Sequence, residues 1–190
     1  MRLRPLGLLL FGVVASSACS VDATRPSPLA PSGPAARRES ATSLTTYRAT
    51  IDPQRDTVLS FGAYTLELPG NAVCNRDAGY GLESFDLDCK AEKGSVTIVA
   101  MVRPVPGAIP RIDFLPELRF NPKRIVTLRV AAPAIQMASP TPRILYCATL
   151  VTDVCVNEAE LDPSLATYVD PASRTVFRRI KHFSGYFVEW

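Results

Sequence analysis

The sequence predicts an all-β protein, a single antiparallel β-sandwich, and three features carry that reading. Short segments alternate apolar and polar residues or are rich in β-branched side chains. Pro, Gly and Asp punctuate them at close intervals. Seventeen prolines in 190 residues leave little room for long helices, because proline lacks the amide donor and clashes with the preceding turn.

In chain order, residues 1–19 read as an export signal. Arg2 and Arg4 give a positive start, Leu6 to Val14 form a short apolar run, and small residues from Ala15 to Ala18 follow. The run falls short of the roughly 18–20 apolar residues that a spanning helix needs. Ser16-Ser17-Ala18-Cys19 resembles a bacterial lipobox, with Ser16 where a large aliphatic residue is usual. Either Cys19 is lipidated and becomes the first mature residue, or an ordinary peptidase cuts after Ala18. Cysteine count favours lipidation. The chain has five cysteines, and assigning Cys19 to the lipid leaves four that can pair completely. Spacing suggests Cys74 with Cys89 and Cys147 with Cys155, although other pairings of the four exist. Ser20 is not the Asp that retains such proteins at the inner membrane. The expected place is therefore the outer membrane, facing periplasm or surface.

Residues 20–46 read as a tether. Pro26, Pro28, Pro31 and Pro34 alternate with small residues, no apolar period is present, and nothing there offsets the entropy of ordering. Residues 47–190 are enough for one domain with one core. Of the 21 Lys and Arg, two fall in the signal, leaving 19 against 18 acidic residues. That balance gives no sign of a nucleic-acid partner.

Within the domain, Thr57–Ser60 and Tyr64–Leu68 alternate around a turn at Gly62-Ala63. Ser95–Val102 is β-branched and stops before Pro104. Ile125–Val130 alternates and ends before Pro133. Ile144–Leu150 is an apolar run. Tyr168-Val169 and Thr175–Phe177 flank the turn Asp170-Pro171-Ala172-Ser173. A closing strand runs from Tyr186 to Trp190. Only Glu158–Leu165 offers a helical turn, and Pro163 interrupts it.

These residues are similar to a family. Tyr64-Thr65-Leu66-Glu67-Leu68-Pro69-Gly70-Asn71-Ala72-Val73 resembles the strand and proline–glycine–alanine turn of ZU5-type domains. Ser95–Val99 is similar to their next strand. Phe114-Leu115-Pro116-Glu117-Leu118-Arg119-Phe120-Asn121-Pro122 is similar to a later F-x-P-x-x-x-F-x-x-P stretch that leads into a strand such as Val126-Thr127-Leu128. His182-Phe183-Ser184-Gly185-Tyr186 resembles the closing strand. Arg55-Asp56 replaces a common glycine pair, Gly70-Asn71-Ala72 departs from the usual order, and the loop Cys74–Cys89 is an addition. The resemblance covers residues 48–190 and implies a ZU5-like sandwich that mediates contacts, without a small-molecule reaction.

Chemistry concentrates at one place. His182 is the only histidine, and no Gly-x-Ser-x-Gly, nucleotide-binding glycine loop or His-Glu-x-x-His occurs. The expected role of His182 is structural, its imidazole bonding a nearby backbone group. The alternative comes with the resemblance: in some ZU5-containing proteins the Phe–Ser bond of His-Phe-Ser is cut by the protein itself. Here Ser184 would attack the Phe183 carbonyl with His182 moving the proton. Asp77, Glu83, Asp86 and Asp88 fit no calcium motif and read as a solvated loop. Tyr80 and Phe85 either meet a partner or form a satellite apolar cluster under the disulfide. No metal or cofactor is expected. Phe183, with either Tyr186 and Val188 or Phe187, should face inward, with a bulge at Gly185. The functional expectation is a lipid-anchored, non-enzymatic envelope module whose partner is a protein or a polysaccharide. Self-cleavage and carbohydrate binding are the alternatives.

Overall fold

The computed structural model describes residues 43–132, 141–148 and 154–189. Residues 1–19 with Cys19, the tether through residue 42, and Trp190 lie outside the described residues.

Eleven strands form among the described residues: β1 (Thr45–Ile51), β2 (Thr57–Phe61), β3 (Tyr64–Leu68), β4 (Val96–Arg103), β5 (Arg111–Leu115), β6 (Val126–Ala131), β7 (Arg143–Cys147), β8 (Cys155–Val156), β9 (Tyr168–Asp170), β10 (Thr175–Ile180) and β11 (Gly185–Glu189). They make two antiparallel sheets. One has the order β1-β4-β5-β11-β7-β8, the other β2-β3-β6-β10-β9. Side chains alternate in burial along the strands, and the inward sets of the two sheets meet in one core: Ile98, Ala100, Ile112 and Val188 from the first, Leu66, Leu128 and Val176 from the second. This is the predicted all-β sandwich.

Several strands lie where their alternation placed them. The β2–β3 hairpin turns at Gly62, whose φ of 66° is costly for any side chain but absent from glycine's penalties. The Asp170 carboxylate accepts hydrogen bonds from the Ala172 and Ser173 amides and shapes the β9–β10 turn. Three strands were not expected. β1 begins at Thr45, inside the segment read as tether. β5 is hidden between Pro110 and Pro116. β8 has only two residues and pairs through Tyr146↔Val156 and Cys147↔Cys155. The stretch Glu158–Leu165 forms two separate 3-10 turns, Glu158–Glu160 and Pro163–Leu165. Their side-chain caps, Asn157 and Asp162, accept from the Ala159 and Ser164 amides.

Both suggested disulfides are present. Cys74–Cys89 closes the loop between β3 and β4, and Cys147–Cys155 staples β7 to β8. β11 lies between β5 and β7 in the middle of its sheet. Tyr186 and Val188 point inward and Phe187 outward, while Phe183 is fully buried and stacks on Phe114 at 4.8 Å. Gly185 sits in register, paired with Cys147 and Asp113, so the expected bulge is not what requires it. A Cβ on Gly185 would lie 2.7 Å from the Cys147 carbonyl oxygen, so the close approach of β7 selects glycine.

Phe183→Ala should lower stability by about 3–5 kcal/mol in urea denaturation, since it removes a fully buried ring and leaves a cavity. Gly185→Ala should also destabilise, because a backbone carbonyl must move. A Gly185→Ala protein as stable as wild type would show that the two strands separate freely at this point.

Candidate functional site

The chain between β10 and β11, Lys181 to Ser184, is irregular but fully engaged. The Lys181 carbonyl accepts from the Phe120 amide (2.8 Å), and the Ser184 carbonyl from the Phe114 amide (3.2 Å). The Phe183 amide donates to the Leu118 carbonyl (2.8 Å). Two tyrosines complete the set: Tyr186 donates to the His182 carbonyl at 2.6 Å, and Tyr80 donates to the Phe183 carbonyl at 2.5 Å. Buried backbone oxygens need such partners, and here two are met by side chains that a strand ladder does not supply.

His182 is almost fully buried. Its ring stacks on Phe85 at 4.2 Å and meets Tyr80 and Tyr146 edge-on. The Nε2–H donates to Glu158 Oε1 at 3.2 Å. A carboxylate only accepts, so this contact fixes the hydrogen on Nε2. Nδ1 then lies 3.2 Å from the Tyr80 hydroxyl and 3.3 Å from the Phe183 carbonyl oxygen. Nδ1 comes close to a backbone carbonyl, but with the hydrogen on Nε2 the bonded partner of the imidazole is the Glu158 carboxylate rather than the expected backbone group.

Glu158 is held from the other side by Arg178, whose Nη2 donates to Oε2 at 2.5 Å. Arg178 is fully buried, at an inward position of β10 between Val176 and Ile180. Its Nη1 donates to the Ile144 carbonyl at 2.8 Å and its Nε to the Arg179 carbonyl at 3.1 Å. Burial by itself would raise the Glu158 carboxyl, but the His182 hydrogen bond and the Arg178 charge outweigh it and hold the group below its usual 4.5. Burial, with the nearby charges of Glu117 and Tyr146, pushes the Tyr80 phenol well up. A hydrogen bond with the Ser184 side chain opposes that shift only in part. Tyr80 therefore keeps its proton; its one O–H goes to the Phe183 carbonyl, and its oxygen lies 3.2 Å from His182 Nδ1.

Tyr80 arrives on the disulfide-bounded loop Cys74–Cys89. That loop is not simply solvated. Arg119 donates to the Ser84 and Leu87 carbonyls, Asp86 pairs with Lys181, and Asp88 pairs with Lys123 at 2.5 Å. Tyr80 and Phe85 form the satellite cluster, packed on His182. Their contacts explain why the loop is closed by a disulfide rather than left open.

Next to His182 lies a cleft of about 750 Å³. Leu82 and Phe85 of the disulfide loop form one wall; Val156, Leu161 and Leu165 form the other, with His182, Glu158 and Tyr146 at the floor. Leu82 and Leu161 are 82% and 92% exposed, which leaves two large apolar side chains in solvent at its lips. Lys181 bridges the walls through Asp86 and Asp162. No group of His, Cys, Asp and Glu among the described residues is arranged to hold a metal ion. No helix among them is long and apolar enough to cross a membrane.

The structure brings His182, Phe183 and Ser184 together with Cys74–Cys89, whose loop reaches them, and sets Cys147–Cys155 at the cleft wall through Cys155. Cys19 lies outside the described residues. Glu158 and Tyr80 beside His182, and Arg178 behind Glu158, were not anticipated. Alternation gives one signal: if Val176 and Ile180 face inward, so must Arg178, and a buried guanidinium demands an acid. No family profile, characterised protein or solved structure matches this chain.

Glu158→Gln should lower stability by about 3–5 kcal/mol, since it leaves the buried Arg178 charge uncompensated. The pH dependence follows from the sign of the shift. A carboxyl held below its unfolded value contributes stability that is complete above about 4.5 and is lost as pH falls through the folded value. Urea midpoints measured from neutral to acid pH should fall more steeply for wild type than for Glu158→Gln. Parallel curves would exclude Glu158 as a source of acid sensitivity.

Proposed function

We propose that this chain is an exported, lipid-anchored envelope module that binds a protein partner through the cleft beside His182. The observation that carries the reading is the pair of exposed leucines, Leu82 and Leu161, at the lips of that cleft. Solvent-exposed leucines on opposite walls of an open cleft gain from being covered, and an apolar peptide segment covers them. A polysaccharide would be better served by an exposed aromatic platform. In this cleft Phe85 is buried against His182, and Tyr146 is also engaged with the His182 ring in a T-shaped contact. The ZU5-like resemblance of residues 48–190 and the lipobox-like Ser16-Ser17-Ala18-Cys19 support display from a tether at the outer membrane.

A second reading has its own observation. Tyr80 donates to the carbonyl oxygen of the very peptide bond that His-Phe-Ser self-cleavage would break, and the Glu158-backed imidazole stands beside it. Ser184 would attack the Phe183 carbonyl carbon, with His182 as the base and Glu158 steadying it. Severing Phe183–Ser184 would leave β11 in place, since β5 and β7 hold it on both sides.

Leu161→Asp in the full chain should leave the melting temperature unchanged and remove the partner recovered by the wild type from envelope extracts. Equal recovery by both proteins would rule out the cleft. Cys19→Ser should move the protein from the detergent phase to the soluble fraction. A wild type that is soluble with an unmodified amino terminus would exclude the anchor. For the second reading, the intact mass of purified protein should reveal two chains broken before Ser184, with the cut quickened by hydroxylamine. A single mass unchanged over days would remove it.

A further inference from the structure

The two disulfides stand in different surroundings. Cys147 is buried. Cys155 borders the cleft beside His182 and also a second cavity of about 410 Å³, walled by Leu145 and Phe187. In that cavity Arg111, almost fully buried, donates from Nη2 to Cys155 Sγ at 3.3 Å. Neither sulfur of Cys74–Cys89 accepts from a cationic side chain among the described residues. A guanidinium against a sulfur favours its thiolate, and thiolate stability sets how readily a disulfide opens.

We propose that Cys147–Cys155 is a thiol-exchange site, at which Cys155, beside Arg111, accepts the thiolate of a dithiol reductant and opening of the bond releases β8 from the cleft wall. The chemistry goes beyond the binding reading above and does not depend on what the cleft binds. The incoming thiolate forms an S–S bond to Cys155 Sγ, the accessible sulfur. The Cys147–Cys155 bond breaks, and its electron pair leaves on Cys147 Sγ, which takes a proton from solvent. The second thiolate of the reductant then attacks the reductant's own sulfur in the mixed disulfide. Cys155 leaves as a thiolate that the Arg111 guanidinium holds. Two electrons pass: the dithiol becomes a disulfide, and the protein disulfide becomes two reduced cysteines.

The two bonds also differ in what remains when they open. β8 is joined to β7 by two residue pairs and the disulfide. Val154 and Val156, on either side of Cys155, are 73% and 49% exposed, so little apolar burial holds the strand once the bond is gone. Its departure takes Val156 from the cleft wall. The Cys74–Cys89 loop keeps its latches to Arg119, Lys123 and Lys181 whether or not its sulfurs are joined. Those latches hold its two thiols near each other, which favours reclosure.

The test titrates the folded full chain with dithiothreitol, without denaturant, and locates opened cysteines by iodoacetamide labelling and peptide mass. Cys147–Cys155 should open at dithiothreitol levels at least about tenfold below those that open Cys74–Cys89. Brief exposure to glutathione, quenched with iodoacetamide, should leave glutathione on Cys155 and the label on Cys147. Both readings come from the wild type, so they decide the exchange site even where a variant does not fold. Arg111→Met should raise the dithiothreitol needed by about tenfold and, in the reduced protein, move the pH profile of Cys155 labelling upward. Hydrogen exchange of residues 154–157 should quicken on reduction while Gly185–Glu189 stays protected. Prior opening of Cys74–Cys89, or glutathione found on Cys147, overturns the exchange site. An Arg111→Met protein with the wild-type midpoint and pH profile overturns the role of the guanidinium. Unchanged exchange at residues 154–157 overturns the release of β8.

Discussion

A guanidinium sits fully buried at an inward position of the sandwich, and the neighbourhood is arranged around it. Arg178 occupies a position on β10 where alternation calls for a hydrocarbon. An unpaired charge there would cost several kcal/mol, so a carboxylate has to follow it in. Glu158 does so from a 3-10 turn that the Cys147–Cys155 staple keeps next to β7. With one oxygen on Arg178, its other oxygen is left for the imidazole of His182. Replacing the pair by hydrocarbons could give an equally stable fold; what the pair contributes is placement. It fixes the ring orientation of His182 and with it the cluster of Phe85, Tyr80 and Tyr146.

The same histidine therefore belongs to two features. One side of its surroundings opens to the cleft between Leu82 and Leu161; the other meets the Phe183 carbonyl and the Tyr80 hydroxyl. The disulfide loop is shared as well. It gives the cleft one wall through Leu82 and Phe85 and gives the peptide bond its donor through Tyr80. Lys181 ties that loop to the opposite turn through Asp86 and Asp162. Occupation of the cleft and the position of Tyr80 are thus mechanically linked through one short segment.

Most of the sandwich was legible because period-two alternation and turn residues are local. β3 and β6 alternate without interruption, and the turns at Gly62 and Asp170 have their chemistry written in two or three residues. β1 was missed because only its last residue, Ile51, is fully buried, and the rest resembles the polar chain before it. β5 was missed because flanking prolines mimic a loop. At the site, His-Phe-Ser was conspicuous as a tripeptide. Its partners were not, since Tyr80 and Glu158 come from segments without alternation, placed by tertiary contacts and disulfides. Arg178 alone carried a readable hint, in the spacing of its neighbours.

The position of β11 bears on how the protein reaches its native state. This strand, the latest of those described, is inserted between two that precede it, with Gly185 facing Asp113 on one side and Cys147 on the other. At the sheet's other end Thr45 pairs with Val102. Contacts so remote along the chain close large loops before any burial rewards them, and folding of such topologies falls in the millisecond-to-second range or slower. Until β11 arrives, β5 and β7 each present an unsatisfied edge, a template for other chains. Any route that delivers the polypeptide unfolded therefore exposes it to association with its own copies, and chaperoning during this interval determines yield as much as the strength of the finished core.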